Sequence, residues 1–271
     1  GKIKVAMGMR RTGKTYLLFQ TIQDLLIQGI DKRCLLYINF EDERLLPLDS
    51  RGLGRLIDEY YELYPENHHR TCYIFLDEIQ NVSGWAVVLR RLLDKGKLQL
   101  YVTGSSSQML SKEIASSLRG RSVALEVSPY SFKEYLSATK PSHPVVTSAI
   151  MSTAELDQLK KELSNYLELG GFPETVGVDA TDRILLLQQY AESVVFRDIV
   201  ERHGIKQIAL IKQLIQTLLH NTSSLFAVNK HYNQLKSLGY KVGKSTLYDY
   251  LSYIEDAFLA FTVPLYTPSL R

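Results

Sequence analysis

The residues from Gly8 to Thr15 have the types and spacing of a loop that binds phosphate groups. They read G-x-x-x-x-G-K-T and stand between an apolar run, Ile3 to Met7, and a segment with helical periodicity. Glycines at both ends let the backbone fold closely around an anion, so that amide N–H groups and the positive end of the following helix face it. Lys14 would then reach the β and γ phosphates, and the Thr15 hydroxyl would hold Mg²⁺. The pattern predicts a site for ATP and Mg²⁺, against the alternative of a turn with no ligand. The residues predicted to contact nucleotide are Gly8, Met9, Arg10, Arg11, Thr12, Gly13, Lys14 and Thr15.

Two carboxylates follow a second apolar run. Cys72 to Leu76 is continuously apolar, and Asp77 and Glu78 come directly after it. The carboxyl ends of parallel strands form the ligand crevice of a nucleotide-binding sheet, so acids at this point are well placed. We predict that Asp77 belongs to the Mg²⁺ shell and that Glu78 orients or deprotonates the attacking water. The alternative is that the two acids only begin a surface loop.

Hydroxyl groups end a third apolar run. Leu98 to Thr103 is followed by Gly104 and by three serines, Ser105 to Ser107. If this strand lies beside the acidic one, the hydroxyls come within reach of a γ-phosphate. A serine run is equally typical of an ordinary turn, so both interpretations stay open at this point.

Alternating strand-like runs and amphipathic segments predict the elements that position these groups. Helical periodicity covers about 14–28, 53–64 and 85–94, and strand-like runs lie at 3–7, 34–40, 72–78, 98–103 and 123–127. Strands that alternate with helices form a parallel sheet with helices on both faces. We therefore predict an α/β nucleotide-binding domain over residues 1–128.

The composition is that of an ordinary globular protein. Of the 271 residues, 45% are hydrophobic and 23% are charged, which is enough to bury a substantial core. No apolar run approaches the roughly 20 residues that span a bilayer, and no secretory leader is visible, although a trimmed amino terminus could have removed one. Cys34 and Cys72 are expected to be buried thiols in a reducing cytoplasm, with a redox pair as the alternative.

The positive charge is concentrated in the last quarter of the chain. Residues 204–271 carry seven Lys and Arg against three Asp and Glu, a net of +4, so residues 1–203 carry 25 − 26 = −1. A basic segment on an otherwise balanced protein suggests a polyanionic partner, and it is also compatible with an ordinary solvated surface.

The order of motifs resembles that of the AAA+ ATPases, in particular a prokaryotic group that shares six short motifs. In this chain they are the phosphate loop, L-D-E-I-Q at 76–80, T-G-S at 103–105, L-R-G-R at 118–121, P-Y-S-F-K-E-Y at 129–135 and G-G-F-P-E at 170–174. The resemblance covers nearly the whole chain. Members of this group usually continue into a domain that looks like a restriction endonuclease, so we expect any nuclease chemistry to lie outside these residues.

The resemblance implies further roles for named residues. The sheet would have the strand order 5-1-4-3-2, Ser105 would sense the γ-phosphate, and Asn39 would restrain the catalytic glutamate. Arg121, and secondarily Arg119, would be the arginine finger that reaches the nucleotide of a neighbouring subunit in a homo-oligomer. The planar guanidinium suits phosphate oxygens, but a surface ion pair is the alternative for each arginine.

An all-helical lid is predicted at 129–203. Ser131 with Glu134 and Ser152 with Glu155 have the spacing of capping boxes, and each predicts a helix start. The second helix is expected to end at Gly170, before Pro173. Residues 140–147 contain two prolines and no periodicity, so we predict a linker there.

Residues 204–271 predict a winged-helix-like domain. Three apolar stripes at helical spacing are followed by a strand-like run, 258–263, with Ser245 as the expected cap of the third helix. The third helix of a winged helix enters the major groove of DNA. Lys241, Lys244, Thr246, Tyr248 and Tyr253 are placed near its outer face. Asp249 and Glu255 beside them weaken the case for duplex DNA, and protein docking or subunit packing stays open.

The leading hypothesis is an Mg²⁺-dependent AAA+ ATPase that moves a lid and a winged-helix module, acting on DNA or on a DNA-directed partner. The alternative is a slow or non-hydrolysing nucleotide switch that docks a protein partner. A small-molecule kinase is disfavoured because no acceptor pocket can be read from the lid. A helicase is disfavoured because no second strand-rich motor domain follows residue 128.

Overall fold

The fold is given by a computed structural model, which describes residues 2–94, 96–106, 118, 120–140 and 152–264. The predicted finger Arg119, the serine Ser107 and most of the predicted linker lie outside the described residues. No helix in the described ranges is both long and apolar enough to cross a membrane.

The centre of the fold is a five-stranded parallel sheet. Its strand order is β2-β4-β6-β1-β7, and two short strands, β3 and β5, form a separate parallel pair. The five strands of this sheet can be numbered one to five in chain order, leaving out the short pair. Read from β7 to β2, their order is then 5-1-4-3-2, so the predicted sheet is confirmed. The seven strands are β1 Ile3–Met7, β2 Leu35–Asn39, β3 Leu48–Asp49, β4 Cys72–Asp77, β5 Val82–Ser83, β6 Leu98–Gly104 and β7 Ser122–Glu126.

Helices cover both faces of this sheet, which explains why its inner strands are almost wholly apolar. On one face, Leu18 and Leu25 of α1 pack with Phe75 and Tyr101. On the other, α2 and α3 bury a larger cluster that includes Trp85. The three helices are α1 Lys14–Ile27, α2 Ser50–Leu63 and α3 Trp85–Asp94.

The register of the sheet brings the predicted site residues to one edge. Met7 pairs with Gly104, and Asn39 pairs with Asp77. The phosphate loop, the acidic pair and the serine tip therefore all leave the carboxyl edge of the sheet together, where parallel sheets bind ligands.

The lid begins with two helices whose capping boxes form as predicted. The Ser131 and Ser152 side chains accept from the backbones of Glu134 and Glu155, and both glutamates bond back to the cap residue. Gly171 touches the first of these segments: a Cβ there would lie 2.4 Å from the carbonyl oxygen of Tyr130, so only glycine fits. The lid helices are α4 Phe132–Thr139, α5 Thr153–Leu169 and α6 Ala180–Ser193.

A π-helical segment, Val194–Glu201, follows α6 directly. Its apolar side chains pack in the same cluster as those of the last three helices, and Met9 of the phosphate loop packs against that cluster. The segment thus lies between the phosphate loop and the carboxyl-terminal helices. These helices are α7 Ile208–His220, α8 Val228–Ser237 and α9 Lys244–Asp256.

The predicted strand at 258–263 was wrong, since these residues form turns and irregular backbone. Phe258 has φ of 57°, and the N–H groups of Phe258 and Leu259 bond to the last carbonyls of α9. N–H groups that bond to the carbonyls at a helix end cannot also pair with a neighbouring strand. The carboxyl-terminal part is helical as far as it is described.

Two finer expectations about α9 also need correction. The helix begins at Lys244 with Gly243 as its cap, so Ser245 already lies inside the first turn. Tyr253 does not lie on the outer face, because its ring stacks on that of His203 with centroids 3.7 Å apart.

Candidate nucleotide-binding site

The phosphate loop leaves β1 through a glycine that no other residue can replace without movement. A Cβ on Gly8 would lie 2.2 Å from the carbonyl oxygen of Val127, far inside van der Waals contact. Arg11 and Gly13 have φ of 66° and 100°, and this left-handed backbone curls the loop before α1 begins. Glycine offers no side-chain cap at Gly13, which leaves the first N–H groups of α1 to a ligand.

Lys14 is buried at the centre of the loop. Its side chain is 4% exposed, and its Nζ donates to the carbonyl oxygen of Met9 at 2.8 Å and lies 3.7 Å from Oε1 of Glu78. Burial lowers the pKa of Lys14, although Glu78 opposes the shift. A buried ammonium gains from any anion that enters the loop, so the environment suits phosphate.

Asp77 is fixed by two hydroxyl groups at the end of β4. The Thr103 hydroxyl donates to Oδ1, and the Tyr37 hydroxyl donates to Oδ2 at 2.9 Å. Burial, and then the charge of Asp77, raise the pKa of Tyr37, so the phenol stays a donor. Mg²⁺ beside nucleotide phosphates prefers hard oxygen donors. The Asp77 carboxylate and the Thr15 hydroxyl, in the first turn of α1, are donors of this kind.

Glu78 occupies a strained backbone position. Its φ of 53° and ψ of 47° are left-handed, which costs a residue with a Cβ about 1–2 kcal/mol. Its N–H donates to the Thr103 hydroxyl at 2.9 Å, and its carboxylate accepts from Nε2 of Gln80 at 2.5 Å. Strain of this kind persists where the surroundings fix the residue, and it is typical of functional sites.

The serine tip of β6 contacts the elements that follow the lid. Ser105 Oγ donates to Asp198 at 3.3 Å and accepts from Gln80 and Arg202, each at 3.2 Å. Ser106 donates to the carboxylate of Asp256, at the end of α9, at 2.9 Å. The end of one strand therefore touches both the π-helical segment and the last helix.

Asp198 joins the phosphate loop to the π-helical segment. Its side chain is 2% exposed and accepts from Nε of Arg10 and from Arg202, each at 2.8 Å. Arg10 also pairs with Glu41, which follows β2. Asp198 and Arg202 were missed by the sequence analysis, because only the fold places them beside the loop.

A second contact links the loop to the G-G-F-P-E motif. Arg11 donates to Glu174 at 3.1 Å, and the Tyr190 hydroxyl donates to the same carboxylate. Burial, and then this bond, raise the pKa of Tyr190 to about 12. Two of the motifs that carry the resemblance therefore meet in space.

Two of the predicted residues, Asn39 and Arg121, bond to groups outside the site. Asn39 lies beside Asp77 in register, but its side-chain oxygen accepts from the N–H of Glu41, two residues further on. Arg121 precedes β7 at the opposite edge of the sheet and pairs with Asp94 at 2.5 Å. The five residues of β7 therefore separate Arg121 from the phosphate loop of its own chain, a distance of roughly 16 Å along the strand.

The sheet order and the loop between β1 and α1 define a P-loop nucleotide-binding fold of the AAA+ type. Residues 1–136 match the family described as AAA domain, and the chain belongs to this family. Residues 160–271 match a family described as a domain of unknown function, DUF8612.

The chain is similar to two curated proteins and to one solved structure. An uncharacterised protein of Methanocaldococcus jannaschii, MJ1544, is 39% identical over 96% of this chain and 56% of its own length. An uncharacterised protein of Haemophilus influenzae is 34% identical over 97% of this chain and 62% of its own. The chain thus spans less than two thirds of these relatives. The structure of Aeropyrum pernix ORC2, described as ADPNP–ADP complexes, covers 97% of this chain and 82% of its own with a TM-score of 0.53 and 13% identity, so it supports the fold.

Proposed function

We propose that the protein is an Mg²⁺-dependent ATPase. The observation that carries the proposal is the convergence of Lys14, Glu78 and Ser105 on one edge: Nζ of Lys14 lies 3.7 Å from Glu78, and Gln80 joins Glu78 to Ser105. Phosphoryl transfer requires a cation on the phosphates and a group that orients water, and Lys14 and Glu78 would supply them. The nucleotides in the similar ORC2 structure are consistent with ATP as substrate.

Each residue has a distinct task in the proposed reaction. Lys14 would leave the Met9 carbonyl to neutralise phosphate oxygens, while the N–H groups at the start of α1 bind the β-phosphate. Glu78 would orient a water molecule in line with the γ-phosphate and accept its proton. Asp77 and Thr15 would hold Mg²⁺, which supplies charge neutralisation between the phosphates when bound. Ser105 would contact the γ-phosphate.

Phosphate release by the wild-type chain, Glu78→Gln and Lys14→Ala tests this assignment. We expect Glu78→Gln to keep ATP affinity and to lose turnover about a hundredfold or more. Lys14→Ala should lose both. Glu59→Gln, on the exposed side of α2, is the matched control and should behave as wild type. Undiminished turnover in Glu78→Gln would remove Glu78 from the mechanism, and unchanged nucleotide affinity in Lys14→Ala would refute the site.

We also propose that the nucleotide state is passed to the lid and to the carboxyl-terminal helices. Three contacts support this: Arg11 with Glu174, Arg10 with Asp198, and Ser106 with Asp256. Hydrogen exchange with and without ATP tests it in α9. Ser106→Ala should abolish the ATP-dependent change in exchange there. Ser237→Ala should preserve it, because within the described part of the chain the Ser237 hydroxyl bonds only to the Gln234 carbonyl of its own helix.

A nucleotide switch that docks a partner is the second candidate. The network of Arg10, Asp198, Arg202 and Ser105 joins the phosphate loop to the π-helical segment, which would let a bound nucleotide lock that segment in place. Multiple-turnover phosphate release separates the two candidates, because a switch stops after one cycle per protein molecule.

DNA remains a proposed partner of the carboxyl-terminal part. Lys241, Lys244 and Tyr248 are exposed in and before α9, and residues 204–271 carry a net charge of +4 by sequence. Binding through phosphates should weaken steeply with salt. Lys241→Gln with Lys244→Gln should reduce the affinity for a duplex, and salt-independent binding would contradict this contact mode.

A further inference from the structure

Gln80 carries a buried amide to which the proposed reaction assigns no task. It lies in the short 3-10 turn Ile79–Asn81, directly after Glu78, and is 8% exposed. The left-handed backbone at Glu78 folds the chain back, so that residues 78 and 80 meet on the same side of the turn. The strain at Glu78 and the placement of Gln80 are therefore parts of one turn.

The bonds of Gln80 fix the orientation of its amide. Nε2 donates to Oε2 of Glu78 at 2.5 Å and to Oγ of Ser105 at 3.2 Å. A carboxylate accepts only, and the single proton of Ser105 already goes to Asp198, so both neighbours require a donor at this point. Only the nitrogen of the amide can stand there.

The other end of the amide is not used by the fold. Oε1 of Gln80 is buried and has no hydrogen-bond partner among the described residues. A glutamine that served stability alone would use both ends of its amide, because a buried acceptor without a partner is unfavourable. This arrangement favours a role for the donor end in the site.

We propose that Gln80 is a positioning residue that holds the carboxylate of Glu78 in its working orientation and ties it to Ser105. The inference rests on the ATPase activity proposed above. Because Ser105 also contacts Asp198 and Arg202, the orientation of Glu78 is fixed from the sheet and from the π-helical segment together. Loss of the donor lets the carboxylate rotate, and small misplacements of a catalytic group lower kcat steeply.

Gln80→Met tests the inference, since methionine is similar in length and cannot donate. In the 271-residue chain, kcat should fall about ten- to a hundredfold, while the affinity for a fluorescent ATP analogue should stay within about twofold. Single-turnover rates in the Glu78→Gln background should show no further loss on adding Gln80→Met, because the effect acts through Glu78. Gln80→Asn, whose amide is one methylene too short to bridge, should reproduce the loss if Gln80→Met folds poorly.

Asn81→Ala is the matched control. Asn81 is the next residue of the same turn, and among the described residues its amide bonds only to the Phe40 carbonyl, so its loss should leave kcat within about twofold. An unchanged or increased kcat in Gln80→Met, or an equal loss in Asn81→Ala, would overturn the inference while the ATPase stands. Absence of turnover in the wild-type chain would refute the proposed function and the inference with it.

Discussion

Nε of Arg10 donates a 2.8 Å hydrogen bond to Oδ2 of Asp198, which joins the phosphate loop to a residue 188 positions later in the chain. Asp198 is 1% exposed, and Arg202 donates to its other oxygen. A single buried carboxylate therefore bonds to two guanidinium groups, and Glu41 pairs with one of them, Arg10. Ion pairs of this kind add little net stability when intact but cost several kcal/mol when one partner is removed.

Asp198→Asn should therefore destabilise the nucleotide-free protein by about 3 kcal/mol, because the partly buried Arg202 loses its counter-charge and Arg10 keeps only its pair with Glu41. Urea unfolding measures the change. Asp157→Asn is the control, since Asp157 pairs with Lys160 at an exposed site and should change stability by less than about 1 kcal/mol. Equal stability of the two variants would mean that Asp198 does not carry the charge balance of the site.

Gly8→Ala should destabilise the protein by at least about 3 kcal/mol, because the added Cβ would lie 2.2 Å from a backbone carbonyl that cannot rotate away. Gly29→Ala is the matched control. Gly29 also has a positive φ, 84°, but a Cβ there meets nothing within 4 Å, so the cost is limited to about 1–2 kcal/mol of backbone strain. Similar unfolding midpoints for the two variants would show that the loop relaxes around Gly8.

The local features of this fold could be predicted from sequence. The phosphate loop, the acidic pair after β4 and both capping boxes each depend on neighbours within a few residues, and apolar runs separated by helices fix a parallel sheet. Lys14, Asp77 and Glu78 could be identified as site residues from the sequence for the same reason. Their roles in catalysis stay predictions.

The remaining features depend on contacts between distant parts of the chain. Asp198 resembles any acid on an amphipathic helix until the fold places it beside Arg10. Asn39 reads as a restraint on Glu78, yet a turn within its own loop takes its side-chain oxygen, and Gln80 bonds to Glu78 instead. The run at 258–263 has strand-like composition, but the end of α9 takes its first N–H groups. For Asn39 and for the run at 258–263, a hydrogen-bond partner close in the chain takes the group to which the sequence pattern gave another partner.

The stability of the carboxyl-terminal helices should depend on pH through His231. This side chain is 5% exposed in α8, and burial lowers its pKa below the ordinary value of about 6.5. Between the lowered pKa and about 6.5 the unfolded chain binds more protons than the folded one, so stability falls as the pH falls through this window. His231→Phe, beside Phe226, should flatten the dependence of the unfolding midpoint between pH 7.5 and 5.

His220→Gln is the control for this pH dependence, because His220 is exposed at the end of α7. It should retain the wild-type slope. An unchanged slope in His231→Phe would assign the pH dependence to other groups.

Substitution of Arg121 distinguishes an arginine finger from a residue that only forms a surface ion pair. Arg121 is 42% exposed, pairs with Asp94, and lies at the edge of the sheet opposite to its own phosphate loop, so it can reach nucleotide only in a neighbouring subunit. Asp94→Asn breaks the same ion pair but keeps the guanidinium. If Arg121 acts in trans, Arg121→Ala should lower ATP turnover about a thousandfold, as expected for an arginine finger, while Asp94→Asn should not. Wild-type turnover per molecule should also rise with protein concentration, because the finger is supplied by assembly. Full turnover in a strictly monomeric protein, or equal effects of the two substitutions, would show that Arg121 is not an arginine finger and only forms its ion pair with Asp94.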